Sequence, residues 1–231
     1  MSPNELQGWE KLVFHFFDRT NYVEAVKNNG PQMAGSMWAD GWRKSSKKEL
    51  FGGYFSVAKL VKMMRLANYN PLDEATSIKE ASDFISAHLQ HLAPGVFEAD
   101  HQLLIEKKLP SMSQMEYPLP YDALDFASFL TFTMFDFHNG PHCDSDDHQW
   151  TLVCWIPIFN PHTSSDDDPI LADEGFDMLG GVTLCVFRSK DQTLPGASPS
   201  AMSKAFNING TAPNLEVAGQ QQQIINAQKK L

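Results

Sequence analysis

The chain has 231 residues, of which 42% are hydrophobic and 20% are charged. This length and composition are typical of a globular protein with one large domain or two small ones, and they exclude a disordered chain, a collagen and a coiled coil. Acidic residues number 28 and lysines plus arginines 18, so the net charge is -10 and anionic partners such as nucleic acids and acidic membranes are repelled on average.

The start of the chain and its cysteines predict an intracellular protein, cytoplasmic or nuclear. The first residues, MSPNELQGWEK, are polar and acidic where a signal peptide is basic and then apolar. No apolar run approaches the roughly 18 residues that a membrane helix needs. The three cysteines, Cys143, Cys154 and Cys185, are too few for a disulfide framework, which favours a reducing compartment.

Residues 1–121 are predicted to form a helical support region. Ser2 and Glu5 have the spacing of a capping box, and the first helix follows them. Its buried face is predicted from apolar residues at spacings of three and four: Leu6, Trp9, Leu12, Val13, Phe16 and Phe17. Further helices are predicted over residues 54–67, from Asn70-Pro71, from a second capping box at Ser77, and over 96–108. Residues 109–121 contain three prolines and are predicted to be a connection.

Residues 122–206 are predicted to form a β-rich core, so the fold class is α+β. An extended chain from Phe126 to Phe137 carries apolar groups on both faces, which is typical of a strand covered on two sides. The apolar segments 150–159 and 182–187 are predicted strands as well. Residues 207–231 are rich in Gly, Asn and Gln and are predicted to be a polar tail.

His142 and Asp144 are the candidate metal ligands. They follow the first predicted strand and a Gly-Pro turn, and residues two apart in an extended chain point to the same side. An imidazole and a carboxylate are two of the three ligands in the 2-His-1-carboxylate arrangement, which leaves open positions on Fe(II). The alternative is an ordinary surface loop, because one His-x-Asp pair arises readily by chance.

A longer pattern surrounds this pair: FTMFDFHNGPHCDSDD, then an apolar strand, then Gly180-Gly181, then VTLCVFRSKD followed by QTLPG. The pattern resembles the Fe(II)/2-oxoglutarate-dependent dioxygenases of the fungal Tet/JBP-like group. The resemblance implies a double-stranded β-helix, a jelly-roll-like core with the helical N-terminal half packed on it. It also implies that His142 and Asp144 bind Fe(II) and that 2-oxoglutarate is the cosubstrate.

The resemblance further implies a nucleic-acid partner, because Tet/JBP enzymes act on a pyrimidine that is flipped out of DNA. The net charge of -10 does not support this partner. The basic residues between Arg43 and Lys48 are interpreted as a solvated loop, with a local nucleic-acid patch as the alternative.

The sequence departs from the family pattern toward its C-terminal end. The family has a distal His on a later strand and an Arg some ten residues beyond it, whereas His162 is the last histidine here and Lys204 is the basic residue at that distance. Arg188 precedes this gap. The core is therefore predicted to be incomplete at its C-terminal end. His138, His148 and His162 are the candidates for a third ligand from elsewhere in the chain.

Two functions stay open at this point. The first is a Tet/JBP-like dioxygenase domain, which is inactive if its distal His and Arg are missing. The second is a non-catalytic binding or scaffold module that retains the same fold.

Overall fold

The computed structural model describes residues 2–26, 32–44, 51–54, 56–66, 69–116, 120–139, 150–156, 158–159, 171, 183–188 and 206–207. Its helices are α1 (Pro3–Arg19), α2 (Val57–Met64), α3 (Pro71–Leu92) and α4 (Pro94–Glu106). Its strands are β1 (Gln32–Lys44), β2 (Phe51–Gly53), β3 (Phe129–Asn139), β4 (Trp150–Trp155), β5 (Thr183–Arg188) and β6 (Phe206–Asn207). This mixture of helices and antiparallel sheets confirms the α+β class. The chain divides into two compact units, Lys11–Asn139 and the combination of Met1–Glu10 with Gly140–Leu231.

Helix α1 begins with the predicted capping box. The Ser2 hydroxyl accepts a hydrogen bond from the Glu5 backbone N–H at 3.3 Å, and the Glu5 carboxylate accepts one from the Ser2 N–H at 2.7 Å. These two bonds pair donors that a helix start otherwise leaves unsatisfied. Trp9, Leu12 and Val13 are buried and Phe16 and Phe17 are partly buried, which confirms most of the predicted face, but Leu6 is 44% exposed.

The Lys11–Asn139 unit contains a three-stranded antiparallel sheet of order β2-β1-β3. Strand β1 lies in the region expected to be helical, so residues 1–121 are not helical throughout. Trp38 of β1 is the register partner of Phe132 on β3, and their rings stack with centroids 5.5 Å apart. Phe16 of α1 stacks on Phe132 at 4.8 Å, so the helix packs on the sheet through aromatic rings.

The two faces of β3 differ in burial. Phe132 and Met134 are buried in the core, whereas Phe129, Thr131 and Thr133 on the other face are exposed, Phe129 by 43%. The prediction that both faces of this strand are covered is therefore wrong. The prediction failed because apolar side chains on the outer face of a strand do not by themselves show that a second layer covers them.

Helices α2, α3 and α4 confirm three predicted helices, with corrections. Asn70 caps α3, since its side chain accepts a hydrogen bond from the Leu72 N–H at 3.1 Å. Ser77 starts no helix, because it lies inside α3 and its hydroxyl bonds to the His15 ring. Val61 and Met64 of α2 are 41% and 59% exposed, so the apolar residues of this helix are only partly covered.

The connection after α4 is held by a buried polar cluster. Asp125 is fully buried, and one of its carboxylate oxygens accepts hydrogen bonds from the hydroxyls of Ser111 and Ser113 at 2.7 and 2.6 Å. The other oxygen accepts one from the Asp122 N–H at 2.7 Å. A buried carboxylate is tolerated only when it is bonded in this way, so these contacts anchor the connection to the start of β3.

The unit that includes Gly140–Leu231 contains the sheet β4-β5-β6. Strands β4 and β5 pair antiparallel from Trp150 opposite Arg188 to Trp155 opposite Thr183, which confirms the strands predicted at 150–159 and 182–187. The double-stranded β-helix and the boundaries at 121 and 206 stay predictions. Within the described residues, no helix combines the length and the apolar character needed to cross a membrane.

Candidate functional site

His142 and Asp144 lie in the segment 140–149, outside the described residues. The segment joins Asn139 at the end of β3 to Trp150 at the start of β4. Five residues lie between Asp144 and Trp150 in the sequence. His142 and Asp144 therefore stay predicted ligands, and in the sequence they lie between the strands β3 and β4.

The candidate third ligands are placed only in part. His138 lies at the end of β3 with its backbone opposite Ala34 of β1. His148 and His162 lie outside the described residues. Among the residues that the structure describes, no group of three or more His, Cys, Asp or Glu side chains could hold a metal ion.

Strand β3 is irregular just before the predicted ligands. Ala34 pairs with His138 and Ser36 with Met134, so the stretch 135–137 lies opposite the single residue Gly35. Gly35 has a φ of 68° and Phe135 a φ of 64°, both in the left-handed region. Such bulges bend a strand and are frequent next to active sites, and the strain at a non-glycine residue is about 1–3 kcal/mol. The bulge therefore bends the end of β3, the last described strand before the segment of the predicted ligands.

Arg188 is a candidate cation for binding the carboxylate of a cosubstrate, a role that the sequence alone did not assign to it. Its register partner is Trp150, the first residue after the segment that holds the predicted ligands. The sequence indicated only that Arg188 precedes the gap, because strand register cannot be read from one strand. Lys204, the alternative cation, lies outside the described residues.

A buried ion cluster lies in the Lys11–Asn139 unit. Arg19 is 5% exposed and contacts Asp40 through Nε and Nη2, the latter at 2.9 Å from Oδ1. Its Nη1 donates to Glu74 Oε1 at 2.7 Å. Burial by itself lowers the pKa of Arg19, but the hydrogen bonds to Asp40 and Glu74 outweigh burial and raise that pKa. The guanidinium is thus permanently charged and fully engaged by its two carboxylate partners.

His15 lies next to this cluster as a neutral imidazole. Burial, and then the positive charge of Arg19, lower its pKa from 6.5 to about 4. Its Nδ1 and the Ser77 hydroxyl are 2.8 Å apart. The ring therefore carries no charge near pH 7 and is held in place by a side chain of α3.

A cavity of about 310 Å³ lies between α1, α2 and α3. His15, Arg19 and Glu74 are among the residues that line it. This cavity could not be predicted from a motif, because its residues are spread between positions 15 and 78 and match no known motif. The helical spacing of Arg19 and His15 on one face of α1 was the available hint.

Comparison with known families gives one coarse assignment. A family model described as the Tet-like 2OG-Fe(II) oxygenase superfamily matches residues 2–187. The matched range includes β1 to β4, the segment 140–149 and all of β5 except its last residue, Arg188. Neither a curated protein nor a solved structure gives a significant match to the chain.

Proposed function

Because the chain belongs to the Tet-like 2OG-Fe(II) oxygenase superfamily, we propose that it is an Fe(II)- and 2-oxoglutarate-dependent dioxygenase domain with His142 and Asp144 as iron ligands. The observation that carries this proposal is the family match over residues 2–187, which includes both residues. Their donor atoms fit the metal, since an imidazole nitrogen and a carboxylate oxygen are suitable ligands for Fe(II). When bound, iron and 2-oxoglutarate supply the oxidation of a C–H bond by dioxygen.

Each proposed ligand has its own task. His142 must be neutral to ligate, because a protonated imidazole offers no lone pair to a cation. Asp144 ligates as the carboxylate, and its negative charge offsets part of the charge of the metal. With two protein ligands in place of three, the affinity for iron is lower than in a complete site.

We assign the carboxylate of 2-oxoglutarate to Arg188. A guanidinium pairs with a carboxylate through two parallel hydrogen bonds, whereas Lys204 offers a single point charge. The support for Arg188 is its register opposite Trp150, which the segment of His142 and Asp144 reaches within a few residues.

The finer assignments of fold and substrate are part of the same proposal. A double-stranded β-helix of the fungal Tet/JBP-like type is supported by the two antiparallel sheets and by the pattern around His142. A nucleic-acid substrate has to overcome the net charge of -10 through a local basic patch. Arg43 is the described part of such a patch, and its guanidinium lies 5.2 Å from the centre of the Tyr54 ring.

A second candidate function is a non-catalytic module that retains the fold. The observation in its favour is that residues 163–231 contain no histidine, so this sequence offers no histidine as a distal ligand beyond His162. In this case the domain acts through binding alone, and the pair His142 and Asp144 carries no metal.

An anaerobic titration with Fe(II) in the presence of 2-oxoglutarate tests the proposal. We expect a visible absorption band that requires both additions, that His142→Ala abolishes and that His91→Ala leaves intact. His91 is the matched control because it is an exposed histidine on α3. If saturating iron gives no band, or if His142→Ala gives the same band, the dioxygenase proposal fails and the binding module is favoured.

The same titration tests Arg188. Arg188→Gln should raise the 2-oxoglutarate concentration for half of the band by about tenfold or more, since a charge-assisted bidentate pair is lost. Arg65→Gln, at the exposed end of α2, should leave that concentration unchanged. An unchanged concentration in Arg188→Gln would reject the assignment of Arg188 while leaving the ligands untouched.

A further inference from the structure

The cavity between α1, α2 and α3 has the size of a small-ligand site. Its volume is about 310 Å³, which lies at the lower end of the range for bound small molecules. All twelve side chains that line it belong to the unit Lys11–Asn139. None of the residues that line this cavity is a proposed ligand of iron or 2-oxoglutarate, so ligand binding here does not depend on the proposed dioxygenase function.

The wall of this cavity carries an excess of negative charge. Asp18, Asp73 and Glu74 line it together with one cation, Arg19. Arg19 is not available to an anion, because its Nε, Nη1 and Nη2 atoms already contact Asp40 and Glu74. The negative electrostatic potential of the cavity wall therefore favours a positively charged ligand and disfavours an anion such as 2-oxoglutarate.

Glu74 supplies the acceptor for such a ligand. Its side chain is 8% exposed, and its Oε1 accepts from Arg19. Its Oε2 is buried and accepts no hydrogen bond of normal geometry, although the Tyr69 hydroxyl lies close enough to interact with the carboxylate. A buried carboxylate oxygen that lacks a well-aligned donor is destabilising, and a ligand N–H group would supply that donor.

The rest of the wall suits an alkyl chain. The rings of Tyr22 and Tyr69 lie 6.3 Å apart, and Met63, Leu66 and Ile78 add apolar surface. Burial, and then the interaction with Glu74, raise the pKa of Tyr69 to about 12, so its phenol stays protonated at neutral pH. Aromatic faces and a carboxylate together are the groups that bind organic ammonium ions.

We propose that this cavity binds a primary alkylammonium group, from a free amine or a lysine side chain, with Glu74 Oε2 as its main acceptor. An ammonium group has three N–H donors on a compact charge, and its alkyl stem matches the apolar part of the wall. A metal ion fits less well, since no group of three or more metal-ligating side chains occurs in the described part of the chain.

Titration calorimetry of the full chain with n-butylammonium and with Nα-acetyl-lysine methylamide tests the proposal, with 1-butanol as the uncharged control. We expect saturable binding of at least one cation and none of 1-butanol. Glu74→Gln should weaken binding about tenfold or more, because a charge-assisted hydrogen bond becomes a neutral one. Glu80→Gln, an exposed glutamate on the same helix, should leave the affinity unchanged. Tighter binding of the lysine derivative assigns the group to a polypeptide, and tighter binding of n-butylammonium assigns it to a free amine.

A second variant covers the case in which Glu74→Gln does not fold. Tyr69→Phe removes only the hydroxyl beside Glu74 and should weaken binding several-fold. Absence of saturable binding by the wild-type chain would overturn the proposal. An unchanged affinity in Tyr69→Phe, or in a folded Glu74→Gln, would also overturn it.

Discussion

At the scale of single residues, the buried pair of His15 and Arg19 governs the electrostatics of α1. Arg19 is tolerated because Asp40 and Glu74 engage it on three nitrogens. His15, one turn earlier, cannot take up a second positive charge at little cost, so its pKa falls to about 4. The consequence is a measurable dependence of folding on pH.

The fold should lose stability as the pH falls from about 6.5 to about 4. In this window the unfolded chain protonates His15 at its ordinary pKa of 6.5, whereas the folded chain does not. The unfolded state therefore binds more protons, and stability decreases with decreasing pH by about 3 kcal/mol in total, with the loss complete below about pH 4. Urea unfolding at a series of pH values measures this effect.

His15→Gln should remove that part of the pH dependence, while titrating carboxylates contribute equally to both proteins. His91→Gln is the control, because His91 is exposed on the surface of α3. A His15→Gln protein whose unfolding free energy follows the wild-type curve between pH 4 and 6.5 would show that His15 is not the group responsible.

At the scale of elements, the bulge between β1 and β3 is the feature that shapes the end of the sheet. Gly35 has a φ of 68°, and a Cβ atom added to it would lie 2.3 Å from the Phe137 Cα atom. A side chain at this position is excluded by the backbone of β3 and not by a movable group. The close approach of the two strands therefore requires glycine.

Gly35→Ala should destabilise the protein by at least about 2 kcal/mol, because strain at positive φ adds to a backbone overlap. Gly95→Ala is the matched control: nothing lies within 4 Å of its added Cβ, and alanine is the better helix former in α4. We expect the control to be neutral or up to about 1 kcal/mol more stable. Chemical denaturation of both variants checks this. Equal effects of the two substitutions would mean that the strands do not approach each other as described.

Local signals in the sequence were enough to predict several elements. The capping box at Ser2 and the cap at Asn70 are contacts between close neighbours in sequence, and both are formed. Strand β1 could not be predicted in this way, because Trp38 finds its partner Phe132 far along the chain. The Ser77 capping box failed for a similar reason, since the distant His15 engages its hydroxyl inside a continuous helix.

At the scale of the whole molecule, the family assignment covers residues of both compact units. The spacing of His142 and Asp144 predicted the candidate ligands because residues two apart in an extended chain are expected to point to the same side. Arg188 and the Glu74 cavity could not be identified from spacing, since strand register in the first case and helix packing in the second bring distant residues together.

The most direct test of the account is a double-mutant cycle on Fe(II) affinity with His142→Ala, Asp144→Asn and the double variant. Each single substitution should weaken iron binding more than about 100-fold, because direct ligands contribute more than their supporting residues. If both side chains bind one ion, the double variant should lose much less than the sum of the two single losses. Wild-type iron affinity in either single variant, or fully additive losses, would contradict a shared iron site at these two residues.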